Sequence, residues 1–301
     1  MAELAIHTRE LTKRYGRRRG LAGLDLSVQT GEVYGFLGPN GAGKTTTIRL
    51  LLDLIRPTSG HLELLGGDPR REGVALRRRV GYLPGDFTVD GRQTALELLT
   101  YLGNLRGGVP RARMTALAER LDLDLTVRIR SLSKGNRQKV GLVQAFMHAP
   151  ELLILDEPTS GLDPLLQQTF LAMVREARTA GQTVFMSSHV MSEVQATADR
   201  VGIVRDGVMV AVERVEELRE RAVRQVEIHF EDPVTVAEFE VLPGVSDVTV
   251  SVGVLRCRLN GRADALVKAA ARHTVIGLRS EEPDLEELFV TYYRGAEHVA
   301  A

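Results

Sequence analysis

The glycine-rich stretch GPNGAGKT, from Gly38 to Thr45, fits the pattern G-x-x-x-x-G-K-[ST]. Glycines let successive backbone N–H groups turn towards a polyphosphate, which larger side chains would obstruct. In this stretch, called the P-loop, we expect Lys44 to reach the terminal phosphates and the Thr45 hydroxyl to bind Mg²⁺. The sequence therefore predicts a site for a nucleoside triphosphate with Mg²⁺. The residues predicted to contact the nucleotide are Gly38, Pro39, Asn40, Gly41, Ala42, Gly43, Lys44, Thr45 and Thr46.

Two carboxylates, Asp156 and Glu157, follow the apolar run LLIL. In a parallel sheet, the carboxyl ends of the strands face the ligand crevice. We expect Asp156 to meet the metal through water, as the partner of Thr45, and Glu157 to polarise a water aligned with the γ-phosphate. Such a pair alone is also typical of a solvated loop or a helix cap. Its place after an aliphatic strand and downstream of the P-loop favours the catalytic interpretation.

A second feature that suits an anion is LSKGN, from Leu132 to Asn136. Ser133 is a plausible N-cap of a helix whose apolar spacing continues until Pro150 ends it. The exposed N–H groups and the helix dipole at this end favour negative charge. The sequence thus carries two predicted phosphate-binding features that are far apart along the chain.

The apolar pattern predicts the elements that position these residues. Residues 4–33 alternate apolar and polar residues, as strands with one buried face do. The P-loop lies between an apolar strand and an amphipathic helix, and strands and helices alternate again from residue 151. Apolar strands that alternate with helices predict an α/β fold with a parallel sheet covered on both faces. Leucines at helical spacing within residues 92–150 predict a helical stretch inserted into this sheet.

A change of pattern near Arg221 predicts a first domain over residues 1–220 and a second over residues 221–301. The stretches QVEIHF, VSDVTV, VLRCRL and TVIGLR are predicted strands. Helical segments are predicted after Pro233, over residues 263–272 and at DLEELFVTYY. The order βαββαβ indicates a small α+β unit that resembles a ferredoxin-like fold.

Composition narrows the class of protein. A chain of 301 residues exceeds what one core usually absorbs, so two domains are expected. The formal net charge is zero, which provides no overall basic field for nucleic acid. The single cysteine, Cys257, excludes an internal disulfide and fits a reducing compartment. Because no apolar run approaches the length of about 18 residues that spans a bilayer, we expect a soluble protein unless a partner brings it to a membrane.

Taken together, the motifs resemble those of the nucleotide-binding subunit of an ABC transporter. LSKGN resembles the LSGGQ signature of that family, with Lys134 and Asn136 as departures. Tyr15 resembles the aromatic residue that stacks on adenine, and His189 resembles the switch histidine that contacts the γ-phosphate. The SGLD stretch resembles the loop that joins the two sites. Taken singly, Tyr15 would fit a core residue and His189 an ordinary capping or buried histidine. Their places in the series of motifs favour the functional interpretation.

The resemblance implies a P-loop NTPase fold with a mostly parallel core sheet, an antiparallel β subdomain and a helical subdomain over about residues 90–150. It implies ATP and Mg²⁺ as cofactors, and Glu157 and His189 as catalytic residues of a homodimeric ATPase. In such a dimer, the signature helix of one subunit closes over ATP held by the P-loop of the other. The residues that would serve the partner's ATP are Ser133, Lys134, Gly135, Asn136 and Asp163.

Within that family, the P-loop region and the stretch DLEELFVTYY resemble ATPases of the daunorubicin-resistance type. Those subunits pair with separate integral-membrane permeases of the ABC-2 class and usually drive export. The resemblance therefore implies a cytoplasmic protein, held peripherally on the inner face of the cell membrane by its permease. The cargo is not predictable from this chain, because the cargo contacts lie in the partner.

Two other functions use the same cassette. A soluble ATP-driven clamp on DNA or ribosomes usually carries a long coiled-coil insertion or two cassettes in one chain, and this sequence has neither. A nucleotide-gated binding module that hardly hydrolyses ATP is disfavoured because Glu157 and His189 are both present. The transporter interpretation is therefore favoured, with no nucleic-acid partner.

One motif, GYLPGDF, departs from the family pattern. Where the family generally has glutamine, often glutamate in this branch, this chain has Gly85, which has no side chain to coordinate a metal. One hypothesis is that water fills the gap and the loop only senses the membrane partner, with Tyr82 and Phe87 as candidate contacts. The other is that Asp86 turns inwards as a Mg²⁺ ligand, which the backbone freedom of glycine would permit. We favour the first hypothesis.

Overall fold

The computed structural model describes residues 3–16, 18–89, 91–221 and 223–281. The chain divides into two compact units, Met1–Glu213 and Arg214–Ala301. This division lies slightly before the boundary at residues 220 and 221 that the sequence pattern suggests.

The first unit is built on two sheets. Its strands are β1 (Leu4–Tyr15), β2 (Arg18–Gln29), β3 (Val33–Leu37), β4 (Ser59–Leu64), β5 (Val80–Leu83), β6 (Leu152–Asp156), β7 (Thr183–Ser188), β8 (Arg200–Arg205) and β9 (Val208–Arg214). β1 pairs antiparallel with both β2 and β4 in a three-stranded sheet. The six-stranded sheet has the order β5–β6–β7–β3–β8–β9, and the five strands from β5 to β8 in that order are parallel. The predicted parallel core sheet and antiparallel β subdomain are therefore confirmed.

Helices surround these sheets. The helices of the first unit are α1 (Lys44–Leu51), α2 (Pro69–Arg78), α3 (Ala95–Asn104), α4 (Arg111–Arg120), α5 (Lys134–Phe146), α6 (Pro164–Thr179) and α7 (Met191–Thr197). α3, α4 and α5 lie along the chain between β5 and β6, which are neighbours in the sheet. This arrangement confirms the predicted helical insertion. Within the ranges described, no helix combines the length and the apolar composition that crossing a membrane requires.

The central strands bring the motif residues to one edge of the sheet. Every residue of β3, β6 and β7 is buried, as expected for a parallel sheet with both faces covered. Leu37, at the end of β3, pairs with Ser188, and Asp156, at the end of β6, pairs with Ser187. The P-loop, the two carboxylates and His189 therefore all follow strands whose carboxyl ends lie side by side.

The second unit contains α8 (Val215–Arg221) and a separate sheet. The elements that follow are β10 (Arg224–Phe230), α9 (Val236–Glu240), β11 (Val245–Ser251), β12 (Val254–Leu259), α10 (Asp264–Ala270) and β13 (Val275–Glu281). The sheet order is β11–β12–β10–β13 with all pairs antiparallel, which confirms the predicted βαββαβ unit. Cys257 lies in its apolar core, where burial raises the pKa of the thiol. The predicted helix at DLEELFVTYY lies outside the described residues.

Candidate nucleotide site

The P-loop joins the end of β3 to the start of α1. Gly43, the N-cap of α1, has a φ of 110°, and a Cβ atom there would lie 2.7 Å from a methyl carbon of Leu21. Glycine avoids both the steric cost of this conformation and the clash. No side chain caps this end of α1. Its first N–H groups and the positive end of the helix dipole are therefore suited to a phosphate.

A pocket of about 410 Å³ opens beside this helix end. Seven of the nine predicted nucleotide contacts line it; Gly38 and Ala42 do not. Gly38 instead packs against the carbonyl oxygen of Val204, and Ala42 is buried. Both residues therefore support the conformation of the loop from the side opposite the pocket. The pocket is lined by Tyr15, Gly20, Pro39, Asn40, Gly41, Gly43, Lys44, Thr45, Thr46, Arg49 and Glu157.

Lys44, Glu157 and His189 form a connected group at this pocket. The Lys44 ammonium donates a hydrogen bond to the carbonyl of Gly38 and lies 3.0 Å from Glu157 Oε1. His189 Nδ1 lies 2.6 Å from Glu157 Oε2, so the imidazole donates to the carboxylate. Oε1 is buried and accepts no hydrogen bond from the described residues. Because the Lys44 ammonium lies against Oε1, a water molecule could use this acceptor atom only when Lys44 turns to another partner.

Asp156 is the last residue of β6, at the same edge of the sheet, and is only 1% exposed. Its Oδ2 accepts a hydrogen bond from the Thr45 hydroxyl at 2.8 Å. Its Oδ1 accepts one from the Ser187 hydroxyl at 2.6 Å. The structure therefore brings together Thr45 and Asp156, the two residues predicted to serve the metal. Oxygen donors of this kind suit Mg²⁺, which is usually held by one or two carboxylates together with phosphates and water.

The LSKGN stretch forms the N-terminus of α5, as the capping pattern predicted. Ser133 is the N-cap, and its hydroxyl accepts a hydrogen bond from the N–H of Asn136 at 3.2 Å. Ser133 and Lys134 are exposed. A Cβ atom on Gly135 would lie 2.7 Å from the carbonyl oxygen of Gly161, so the SGLD loop of the same chain packs directly against this glycine. None of the LSKGN residues lines the P-loop pocket.

Comparison with known proteins assigns this arrangement to a family. The family profile described as ABC transporter matches residues 21–160. The daunorubicin resistance ATP-binding protein DrrA3 of Streptomyces coeruleorubidus is 36% identical, over 96% of each chain. The chain belongs to the ABC transporter ATP-binding proteins. The motif-based prediction of an ATPase coupled to transport is thereby confirmed.

Two further similarities agree with this assignment. The Nod factor export ATP-binding protein I of Paraburkholderia xenovorans is 35% identical, over 88% of this chain and 92% of that protein. A solved structure described as the ATP binding subunit of an ABC transporter superposes with a TM-score of 0.66 and 28% identity, and covers 71% of this chain and 92% of its own. The ABC cassette fold predicted from the sequence is therefore confirmed.

In this ABC cassette, Tyr15 lies beside the P-loop pocket. The residue is 45% exposed, and it lines the same pocket as the P-loop. Gly20 lies against the ring edge, where a Cβ atom would come within 2.9 Å of a ring carbon. The Lys13 ammonium lies 5.2 Å from the ring centroid. The residue at position 15 is thus held beside the pocket rather than in the core, and its stacking role stays a prediction.

Asp163 has a structural task in the cassette that the sequence reasoning did not assign to it. It is the N-cap of α6, and its Oδ1 accepts hydrogen bonds from the N–H groups of Leu165 and Leu166. The residue is exposed and does not line the P-loop pocket. Its predicted contact with the partner's ATP stays a prediction, in addition to this cap.

Sequence reasoning missed two buried polar residues around Glu157. Ser187 contacts both Asp156 and the backbone of Glu157. Gln138, on α5, donates its amide to the carbonyls of Glu157 and Pro158 at 3.4 and 3.2 Å. The only sequence signal for either is a polar residue within an apolar run, which many solvated or capping residues also give.

The GYLPGDF loop lies beside Asp156. A Cβ atom on Gly85 would lie 3.3 Å from Asp156 Oδ2, so position 85 faces Asp156, whereas the side chain of Asp86 is exposed. Tyr82 is half-buried. Its pKa is raised mainly by burial and, to a smaller extent, by the negative charge of Asp156. Phe87 is buried against α5 at Gly141. Its ring fills the space beside this glycine of the cassette, and the candidate contact of Phe87 with the membrane partner stays a prediction.

Replacing Asp86 by alanine is expected to leave the Mg²⁺ requirement for ATP binding unchanged. The physical reason is that Asp86 is exposed and its neighbour Gly85, not Asp86, faces Asp156. Nucleotide titrations across a range of Mg²⁺ concentrations test this, with Asp156→Asn as the variant expected to need more metal. A rise of about tenfold or more in the Mg²⁺ needed by Asp86→Ala would instead identify Asp86 as a ligand.

Proposed function

We propose that this protein is the ATP-hydrolysing subunit of an ABC-2 type exporter, driven by ATP-dependent closure of a dimer around composite sites. A composite site combines the P-loop of one copy with the LSKGN stretch of the other. The single observation that supports such sites is the separation of these two predicted phosphate-binding features within one chain. The P-loop lines a pocket, whereas the exposed N-terminus of α5, at Ser133 and Lys134, does not line that pocket. In a dimer, the LSKGN stretch of each copy completes the site that the P-loop of the other copy begins.

Within the P-loop, each residue type has a distinct task. The N–H groups at the N-terminus of α1 hold the phosphates, and Lys44 adds a positive charge. Because phosphate oxygens and Glu157 both attract the Lys44 ammonium, a bound triphosphate competes with the Lys44–Glu157 ion pair. Nucleotide binding therefore frees Glu157 to accept a hydrogen bond from water.

The metal task falls to Thr45 and Asp156. Both present oxygen atoms, they lie within hydrogen-bonding distance of each other, and Asp156 is buried beside the P-loop. When bound, Mg²⁺ neutralises charge on the β- and γ-phosphates. Asp156 serves by charge and orientation, and it needs no proton transfer to do so.

Glu157 and His189 carry the remaining chemistry. Glu157 takes a proton from the attacking water through its carboxylate, and its position at the P-loop pocket supports this role. His189 Nδ1 contacts Glu157 and leaves the other ring nitrogen for the γ-phosphate.

In a closed dimer, the partner's signature helix adds N–H donors and its Ser133 hydroxyl to the same phosphate. Since ADP lacks the γ-phosphate, ATP stabilises the closed dimer more strongly, and a ligand shifts an equilibrium only through such a difference in affinity.

The export assignment is supported by the names of the relatives, which refer to daunorubicin resistance and Nod factor export. The protein itself would sit on the inner face of the cell membrane, bound to separate permease subunits. The test is to search for a gene that encodes a six-helix membrane protein beside the gene for this chain, and to co-express that protein with the tagged chain. We expect the chain to sediment with membranes only when that protein is present, and its ATPase to respond to it. A chain that stays in the supernatant, with an ATPase stimulated by DNA or ribosomes, would favour the soluble clamp instead.

Ending the chain at Glu213 is expected to preserve ATP binding. All residues of the P-loop pocket, both carboxylates and the signature precede that point, and the first unit is compact by itself. Thermal melting with and without MgATP measures this, because a ligand that binds only the folded state raises the melting temperature. A shortened chain that melts cooperatively but shows no shift with MgATP would contradict the independence of the two units.

A further inference from the structure

Ser187 is a fully buried polar residue at the carboxyl end of β7. The preceding residues of this strand, from Val184 to Met186, are apolar and buried. β6 and β7 are parallel neighbours, and their register pairs Ser187 with Asp156. Burial of a hydroxyl is unfavourable unless hydrogen bonds compensate, so its partners decide what it does.

Both hydrogen-bonding capacities of this hydroxyl are used, one on the carboxylate of Asp156 and the other on the backbone of Glu157. A serine hydroxyl has one proton to donate and can accept through its lone pairs. Ser187 donates its proton to Asp156 Oδ1 at 2.6 Å and accepts from the backbone N–H of Glu157 at 3.1 Å. With Thr45 on Oδ2, each oxygen of Asp156 then has a hydroxyl donor, which fixes the plane of the carboxylate.

The backbone of Glu157 needs this support. Its φ of 48° lies in the left-handed region, which residues other than glycine seldom adopt. Such conformations persist where neighbouring contacts enforce them, and they concentrate at functional sites. Ser187 bonds the N–H of Glu157, and the Gln138 amide lies against its carbonyl. This turn brings the Glu157 side chain to Lys44 and His189.

We propose that Ser187 is a positioning residue that orients Asp156 for the metal and holds Glu157 in its catalytic conformation through one hydroxyl. This inference rests on the proposed roles of the two carboxylates. It does not require Ser187 to touch nucleotide or water. It does require that loss of the hydroxyl disturbs metal-dependent binding and turnover together.

The experiment compares Ser187→Ala with Thr183→Val in the full chain. Thr183 lies at the other end of the same strand, is equally buried, and its hydroxyl accepts from Gly31 N–H, away from the pocket. Binding of ATP is measured with and without Mg²⁺ in a Glu157→Gln background, and turnover is measured without that background. For Ser187→Ala we expect unchanged affinity for metal-free ATP, and about tenfold or more loss both in the affinity gained from Mg²⁺ and in kcat. Thr183→Val should lose neither.

Rescue separates positioning from a general packing defect. Ser187→Thr keeps the hydroxyl and should restore metal-dependent binding and kcat. If the added methyl group prevents folding, Ser187→Cys, which keeps the size but donates weakly, should fall between alanine and wild type. A Ser187→Ala protein that behaves like Thr183→Val would overturn the inference. If Asp156→Asn also keeps the metal dependence, the metal site itself is wrongly assigned; if only Asp156→Asn loses it, the error lies with Ser187 alone.

Discussion

Replacing Glu157 by glutamine is expected to lower ATP turnover by about 10²–10⁴-fold while ATP binding is retained. Glutamine preserves the size of the side chain and an acceptor oxygen for His189, but an amide cannot take a proton from water. The change also removes the negative charge that lies 3.0 Å from Lys44. The phosphates should therefore meet less competition for that ammonium. A variant that binds but does not hydrolyse accumulates in the closed form.

Size-exclusion chromatography with light scattering measures this accumulation. With MgATP, Glu157→Gln should elute as a dimer, whereas the wild-type protein should be mostly monomeric because hydrolysis reopens it. Glu151→Gln provides a matched control, since this carboxylate lies just before β6 and pairs with Arg79 at the surface. It should leave both turnover and elution unchanged. Unchanged turnover of Glu157→Gln would remove Glu157 from its proposed role.

The parts of the site that the sequence predicted are those set by local chain geometry. The P-loop needs glycines and a helix start within a few residues, and Ser133 caps a helix that begins at the next residue. Asp156 follows directly from an apolar strand whose end must face the crevice. Each of these inferences uses only neighbouring residues and a general rule about strand ends or helix ends.

The parts that the sequence did not predict depend on contacts between distant segments. Ser187 becomes a partner of Asp156 only because β7 pairs with β6 in one particular register. Gln138 reaches the carbonyl of Glu157 only because α5 packs beside the loop that follows β6. The direction of the GYLPGDF loop likewise decides that Gly85 faces Asp156 and that Phe87 is buried. No periodicity in the sequence specifies these tertiary contacts.

Replacing Ser133 by arginine is expected to abolish hydrolysis without weakening ATP binding to the monomer. Ser133 is exposed and does not line the P-loop pocket, so its loss should not affect ATP held by its own chain. In a closed dimer, the bulky arginine side chain would occupy the space that the γ-phosphate of the ATP on the partner's P-loop needs. Ala149→Ser provides a surface control for handling and stability, because Ala149 is exposed, follows the other end of α5 and does not line the P-loop pocket. Loss of ATP affinity in monomeric Ser133→Arg would contradict the assignment to the partner's site.

The most direct test of composite sites mixes Ser133→Arg chains with Lys44→Ala chains and measures ATPase activity. Each variant alone should be inactive, because both sites of its homodimer carry a defect. In the mixed dimer, the two defects fall on the same composite site, and the other site combines an intact P-loop with an intact signature. We therefore predict that activity reappears on mixing, with at most one working site per mixed dimer. If the mixture stays as inactive as its components while mixed dimers form, each chain completes its own site, and ATP-driven closure around shared sites is wrong.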